Sequence, residues 1–123
     1  MSFTLLLLLL TCHWIADYTH LQTPWMLKAK AVGMPLFPIF VHAGVHAILQ
    51  GTVLLFFVSG EKWVYLFILQ WASHFVIDVW KGRMNGWFPT LKNPSNQWHW
   101  VIFGFDQYLH QIVIVIIAWG AAS

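Results

Sequence analysis

At 123 residues, 59% of them hydrophobic and only 8% charged, the chain lies far outside the range of soluble domains, in which charged residues make up about a quarter. A formal charge of +2 without any basic run interleaved with aromatics excludes nucleic acid as a partner. The single cysteine, Cys12, excludes an intramolecular disulfide and reads as a small apolar core residue.

The composition is that of an all-α polytopic membrane protein, one transmembrane domain over residues 1–123. Four apolar stretches are predicted as membrane helices, each approaching the ~17–25 residues that cross a hydrocarbon core. The first, Phe3–Tyr18, is the shortest. It has neither a basic leader nor a small-residue cleavage site before the polar His13–Asp17 segment, so a retained helix is expected rather than a secretory signal. The connection Thr19–Pro35, rich in Pro, Gly and Lys, leads to the second stretch, Leu36–Ser59. A brief Gly60-Glu61-Lys62 connection precedes the third, Trp63–Trp80, and a second polar connection, Lys81–His99, precedes the fourth, Trp100–Ala122. Alternating long and short connections predict an up-and-down four-helix bundle of two helical hairpins.

Lys28, Lys30, Lys81, Arg83 and Lys92 lie in or beside the two long connections, whereas the opposite face keeps Lys62 beside Glu61. The positive-inside rule then places the long connections in the cytoplasm and both termini outside. Seven of the nine tryptophans fall near predicted span ends, as an interfacial belt requires. The halves also resemble each other, His13-Trp-Ile-Ala-Asp17 matching His74-Phe-Val-Ile-Asp78, which suggests a duplicated hairpin.

Each apolar stretch carries one pair of metal-competent side chains at i, i+4 spacing: His13/Asp17, His42/His46, His74/Asp78 and Asp106/His110. That spacing puts both members on one helix face. A random scatter of the ten His and Asp residues would give about 0.8 such pairs, against one in every stretch. The pairs sit late in the first and third stretches and early in the second and fourth, so alternating direction brings all eight groups to one level, as in di-metal carboxylate bundles. An aspartate within a span costs about 2.5–3.5 kcal/mol on insertion scales. The competing reading, interhelical hydrogen bonds that glue the bundle, yields only about 0.6 kcal/mol per bond in membranes.

Five imidazoles and three carboxylates suit a divalent metal, with zinc the first choice and iron or manganese the alternatives. One or two ions are compatible with eight ligands. Asp17 or Asp106 is a candidate general base and Lys81 a candidate catalytic cation, with Lys28 and Arg83 as further clamps for an anionic group. Gln70, Gln107 and Gln111 read equally as supports of the ligands or as packing amides. Tyr18 and Tyr108 are either donors to a substrate or part of the belt, and His20 and His99 read as interfacial residues. Lys30 and Lys92 read as lysines that snorkel to the interface.

On His13-x-x-x-Asp17-Tyr18 with Gln22-Thr23 and Lys28, His42-x-x-x-His46, His74-x-x-x-Asp78-x-x-Lys81 and Asp106-Gln107-x-x-His110, the chain resembles the domain-of-unknown-function 3307 family of small bacterial and phage membrane proteins. More loosely it is similar to proteins labelled membrane-bound metal-dependent hydrolases. These resemblances imply a bacterial inner-membrane location and a metal-dependent hydrolase. The expected function is hydrolysis of a lipid-linked, phosphorylated substrate at the cytoplasmic face. The alternatives are a di-iron membrane oxidase or hydroxylase, and a metal-ion transporter or binding subunit. The expected partner is a membrane lipid, and a homodimer is compatible with so small a chain.

Overall fold

The computed structural model describes all 123 residues and is all-α, without strands. Its five α-helices are α1 (Phe3–Tyr18), α2 (Pro24–Val32), α3 (Leu36–Leu54), α4 (Gly60–Trp87) and α5 (Gln97–Ala121), with a 3-10 turn over Pro89–Lys92. Three of them, α3, α4 and α5, are long and apolar enough to cross a membrane. At 16 residues, α1 is about 24 Å long, short of the ~30 Å hydrocarbon thickness, so three helices rather than the expected four meet the length of a span.

Contacts at two levels fix the helix directions. At one level Leu5 and Leu9 of α1 pack with Leu54 at the end of α3, Leu66 near the start of α4, and Ile114, Ile117 and Ala118 late in α5. At that same end Lys62 donates to the Ser123 carbonyl oxygen. At the other level the His and Asp pairs meet, so α1 and α4 run one way and α3 and α5 the other. Between α3 and α4, glycines admit aromatic rings: a Cβ on Gly44 would lie 2.8 Å from Trp71 Cζ2, and one on Gly51 would lie 2.8 Å from Phe67 Cδ2. The indoles Trp63 and Trp71 donate to the Gly51 and Phe40 carbonyls at 2.8 and 3.1 Å, so even these amphipathic rings are satisfied against α3.

Helix bounds differ from the expected ones wherever tertiary contact overrides composition. Leu36–Ser59 stops as a helix at Leu54, and Leu55–Val58 turn back through bonds from Phe57 and Val58 amides to the Leu54 carbonyl. Trp63–Trp80 is extended at both ends to Gly60–Trp87. Trp100–Ala122 becomes Gln97–Ala121, its start capped by the Asn96 side chain, which accepts from Trp98 N. α4 and α5 therefore each continue nine residues past the Asp78 and Asp106 positions, about 14 Å of helix beyond the paired residues.

The largest correction is α2, which lies inside the expected loop Thr19–Pro35. Thr23 caps it by accepting from Met26 N, Pro24 opens it, and Gly33 closes it with φ +77 in the left-handed region that favours glycine. The second long connection, Lys81–His99, is taken up by the end of α4, the 3-10 turn and the start of α5, with no separate α-helix like α2, so the two connections do not match as the expected duplication would have them. α2 docks on α4 through an approach that no side chain fits: a Cβ on Gly82 would lie 2.3 Å from Gly33 N and 2.5 Å from Lys30 O. Arg83 Nε donates to Gly33 O at 3.3 Å and Asn85 Nδ2 to Ala31 O at 3.2 Å, satisfying carbonyls at the α2 C-terminus.

Gly82→Ala is expected to push α2 off α4 and lower stability by about 1–3 kcal/mol, the usual cost of overpacking. Thermal melts in detergent would read this. Gly86→Ala is the control: its Cβ would meet nothing closer than Val32 O at 3.8 Å, so its melting midpoint should stay level or rise.

Candidate metal centre

All eight paired residues are buried and meet in one cluster. Asp17 is its most heavily contacted carboxylate. His42 Nε2 and His46 Nε2 lie 3.0 and 2.8 Å from Asp17 Oδ1, and His13 Nε2 lies 3.3 Å from Asp17 Oδ2. Asp78 is the second hub, with His110 Nε2 at 3.1 Å from Oδ1 and His74 Nε2 and His42 Nε2 at 3.1 and 3.6 Å from Oδ2. The rings form a continuous stack, His46 to His74 at 3.7 Å and His74 to His110 at 4.1 Å between centroids. Helical period 3.6 on four elements of alternating direction is what aligns them.

Two groupings bring possible ligand atoms within 4.8 Å of one another: Asp17, His42, His46 and His74, and His74, Asp78 and His110. These buried groups can hold a metal ion. The donor chemistry fits: imidazole nitrogen with carboxylate oxygen is a set that divalent transition metals accept. Orphaned atoms point the same way. His74 Nε2 and Asp78 Oδ2 approach to 3.1 Å, yet neither makes a hydrogen bond. Two buried polar atoms in contact without hydrogen-bond alignment are costly, and a shared cation would satisfy both. His74 belongs to both groupings, and one ring-nitrogen lone pair serves one ion.

His13 and Asp106 belong to the cluster but to neither grouping. His13 Nε2 lies 3.1 Å from Gln107 Oε1, and Gln107 Nε2 donates to Asp106 Oδ2 at 3.1 Å, so Gln107 ties α1 to α5. Asp106 Oδ1 has no hydrogen bond and lies 3.4 Å from His110 Nε2.

A cavity of about 660 Å³ opens beside the cluster, lined by Asp17, Asp78 and Asp106 together with Lys30, Lys81 and Lys92. Lys30, which the sequence assigned to the interface, is the correction with most chemical consequence. Carried on α2, its Nζ lies 3.7 Å from Asp17 Oδ1, 3.3 Å from His42 Nε2 and 2.6 Å from Gln22 Oε1. Gln22 is itself anchored by donating to the Asp17 carbonyl. Lys92 likewise lines the cavity. Lys81 lines it without touching the cluster, its ammonium 5.5 Å from the Phe103 ring centroid.

Arg83 is committed to the Gly33 carbonyl and Lys28 is exposed, so neither clamps the site. Tyr18 borders the cavity, whereas Tyr108 and Gln111 are exposed on α5. His99 Nδ1 lies 2.6 Å from the Leu91 carbonyl oxygen, bracing the cavity's outer wall rather than the interface. Gln70 is buried one turn from His74 with Oε1 unpartnered. Gln50, which sequence reasoning missed, is 0% exposed one turn past His46, and neither of its amide atoms has a partner. Its i+4 spacing from His46 was the available signal. For Lys30 the signal was the helix bracketed by Thr23-Pro24 and Gly33.

The family model described as a protein of unknown function, DUF3307, matches residues 5–123, and the chain belongs to that family. No curated protein and no solved structure matches it. The looser likeness to metal-dependent hydrolases therefore rests on the His and Asp pattern alone.

Metal binding is expected to raise the melting midpoint. Zinc added to chelator-treated protein at 100 times its dissociation constant should stabilise by about 2.7 kcal/mol, and the variant His46→Asn/His74→Asn should lose that rise. An equal rise in both proteins would place the ion elsewhere.

Proposed function

We propose that this DUF3307 protein is an integral membrane, metal-dependent hydrolase acting on a lipid-linked substrate with a phosphorylated head. In this reading α1, α3, α4 and α5 form an up-and-down bundle in a bacterial inner membrane, with the cavity end cytoplasmic and both termini outside. The observation that carries it is the cavity. Three carboxylates of the cluster and three lysines line it together, so a cation and an anionic head group can share one space. The cation-rich connections at that end support the orientation.

Asp17, His42, His46 and His74 would hold a divalent ion, zinc by first preference, which would supply Lewis acidity at the cavity edge. The protein's own groups do the rest. Asp17, touched by three imidazoles and Lys30, is saturated as a ligand or charge partner. Asp106 lines the cavity and belongs to neither metal-competent grouping, which suits its carboxylate to accept a proton from an attacking water. Lys30 and Lys81 offer positive charge where negative charge develops on the transferred group. Two and a half turns of α4 and α5 continue past the cluster on the side of the cavity.

The same arrangement favours an enzyme over a channel. Leu5, Leu9, Leu54, Leu66, Ile114 and Ile117 form a continuous apolar plug past the cluster, and an ion could cross it only by losing every ligand.

With zinc loaded in detergent, Asp106→Asn is expected to keep its metal content and lose about 10²–10⁴-fold in kcat on lipid phosphates. Unchanged kcat in that variant would remove Asp106 from the chemistry. Iron in place of zinc, with oxygen-dependent turnover, would replace the hydrolase by an oxidase.

A further inference from the structure

The three aspartates and three lysines that line the cavity balance one another, so one divalent cation in the cluster would leave the cavity with an excess of two positive charges. The chain has four acidic residues. Asp17, Asp78 and Asp106 face the cavity, and Glu61 sits in the first turn of α4, at the far end of that helix. Lys30 lies against Asp17. With neutral imidazoles as ligands, the three carboxylates are neutralised by Lys30 and one divalent cation. Lys81 and Lys92 then remain on the cavity wall without any carboxylate partner, since the ion pairs of the chain involve neither. Two unmatched positive charges, Lys81 half-buried and Lys92 exposed, attract a dianion more strongly than a monoanion or a neutral ester.

Lys30 adds a second reason. Two of its neighbours, Asp17 Oδ1 and His42 Nε2, belong to residues of a metal-competent grouping and would be drawn to a bound cation. Once they are taken, the ammonium keeps its bond to Gln22 Oε1 at 2.6 Å and has two N–H donors left for a ligand in the cavity it lines.

We propose that the cavity binds a terminal phosphate monoester as its dianion, with Lys81 and Lys92 as counter-charges and Lys30 as the donor nearest the metal. This rests on the hydrolase reading above and narrows its substrate to monoesters, excluding phosphodiesters and carboxylic esters. Hydrolysis of a monoester needs water alone. The water oxygen bonds to phosphorus, the bond from phosphorus to the ester oxygen breaks, and one water proton ends on that oxygen, releasing an alcohol and hydrogen phosphate. Leu27 and Phe103 on the cavity wall offer apolar surface for the remainder of a lipid.

The test measures binding and turnover separately on zinc-loaded protein in detergent. Inorganic phosphate is titrated by calorimetry at a pH where it is dianionic, beside the monoanion dimethyl phosphate. Phosphate should bind tighter, and Lys81→Gln/Lys92→Gln should weaken it by about tenfold for each ammonium lost while zinc content stays unchanged. Turnover is followed on micellar phosphatidate, on soluble glycerol phosphate and on a phosphodiester lipid. Preference for phosphatidate puts the dianion on a lipid, and equal use of glycerol phosphate puts it in solution; either supports the monoester site. Phosphate binding as expected without turnover of any ester leaves the dianion site standing and removes the hydrolase. Equal binding of phosphate and dimethyl phosphate, or phosphate binding unaffected in the double variant, overturns the inference even where an ester is hydrolysed.

Discussion

Three aspartates buried inside an apolar helical protein are the constraint on which the rest of this structure depends. A carboxylate in such surroundings is tolerated only with close partners of opposite or complementary character, and here Asp17 and Asp78 are met by imidazoles from other helices, while Asp106 is met by His110 of its own helix. Asp17 of α1 is held by His42 and His46 of α3, and Asp78 of α4 by His110 of α5 as well as by His74 of its own helix. The helices are thereby locked in register at one level, while the leucine and isoleucine layer at the other level supplies nonspecific adhesion. Polar groups specify the arrangement and apolar groups give it bulk. The same polar groups, being over-supplied with nitrogen and oxygen lone pairs, are what make a cation a natural occupant.

From that level outward, α4 acts as the mast of the molecule. It continues well past Asp78, and the continuation carries Gly82, Arg83 and Asn85, the three residues that seat α2. Seating α2 in turn delivers Lys30 to Asp17 and His42. A glycine with no chemistry of its own thus governs where a charged side chain stands. The cavity exists because α4 and α5 outrun α1 and α3 at this end, and α2 with the 3-10 turn closes part of the gap.

The cluster was legible in the sequence because its information is local: four pairs at one helical spacing, each inside an apolar stretch, need only the period of the helix to be recognised. The bounds of α1 were legible for a similar reason, since Ser2 caps the run and Thr19 ends it. What lay beyond reading was contact between distant segments. Lys81–Trp87 has the glycines and cations of a loop, yet it is helical because α2 packs on it. Pro24–Val32 is short and mixed in character, and only its capping residues betrayed it. The role of Lys30 depends on a partner thirteen residues away on a different helix, which no spacing rule connects. Gln50 was hidden among the apolar residues of α3, although its spacing from His46 marked it.

The shortness of α1 has a mechanical consequence for any bilayer around it. In the membrane placement proposed above, a helix of about 24 Å beside a hydrocarbon layer of about 30 Å would oblige the lipids at its flank to shorten or tilt, and α1 ends at Tyr18, beside Asp17 on the rim of the cavity. A bilayer thinned at that end would bring its polar headgroup layer toward the metal-competent cluster. A lipid bound as proposed above would then bring its head to the site while its tails stay in the leaflet.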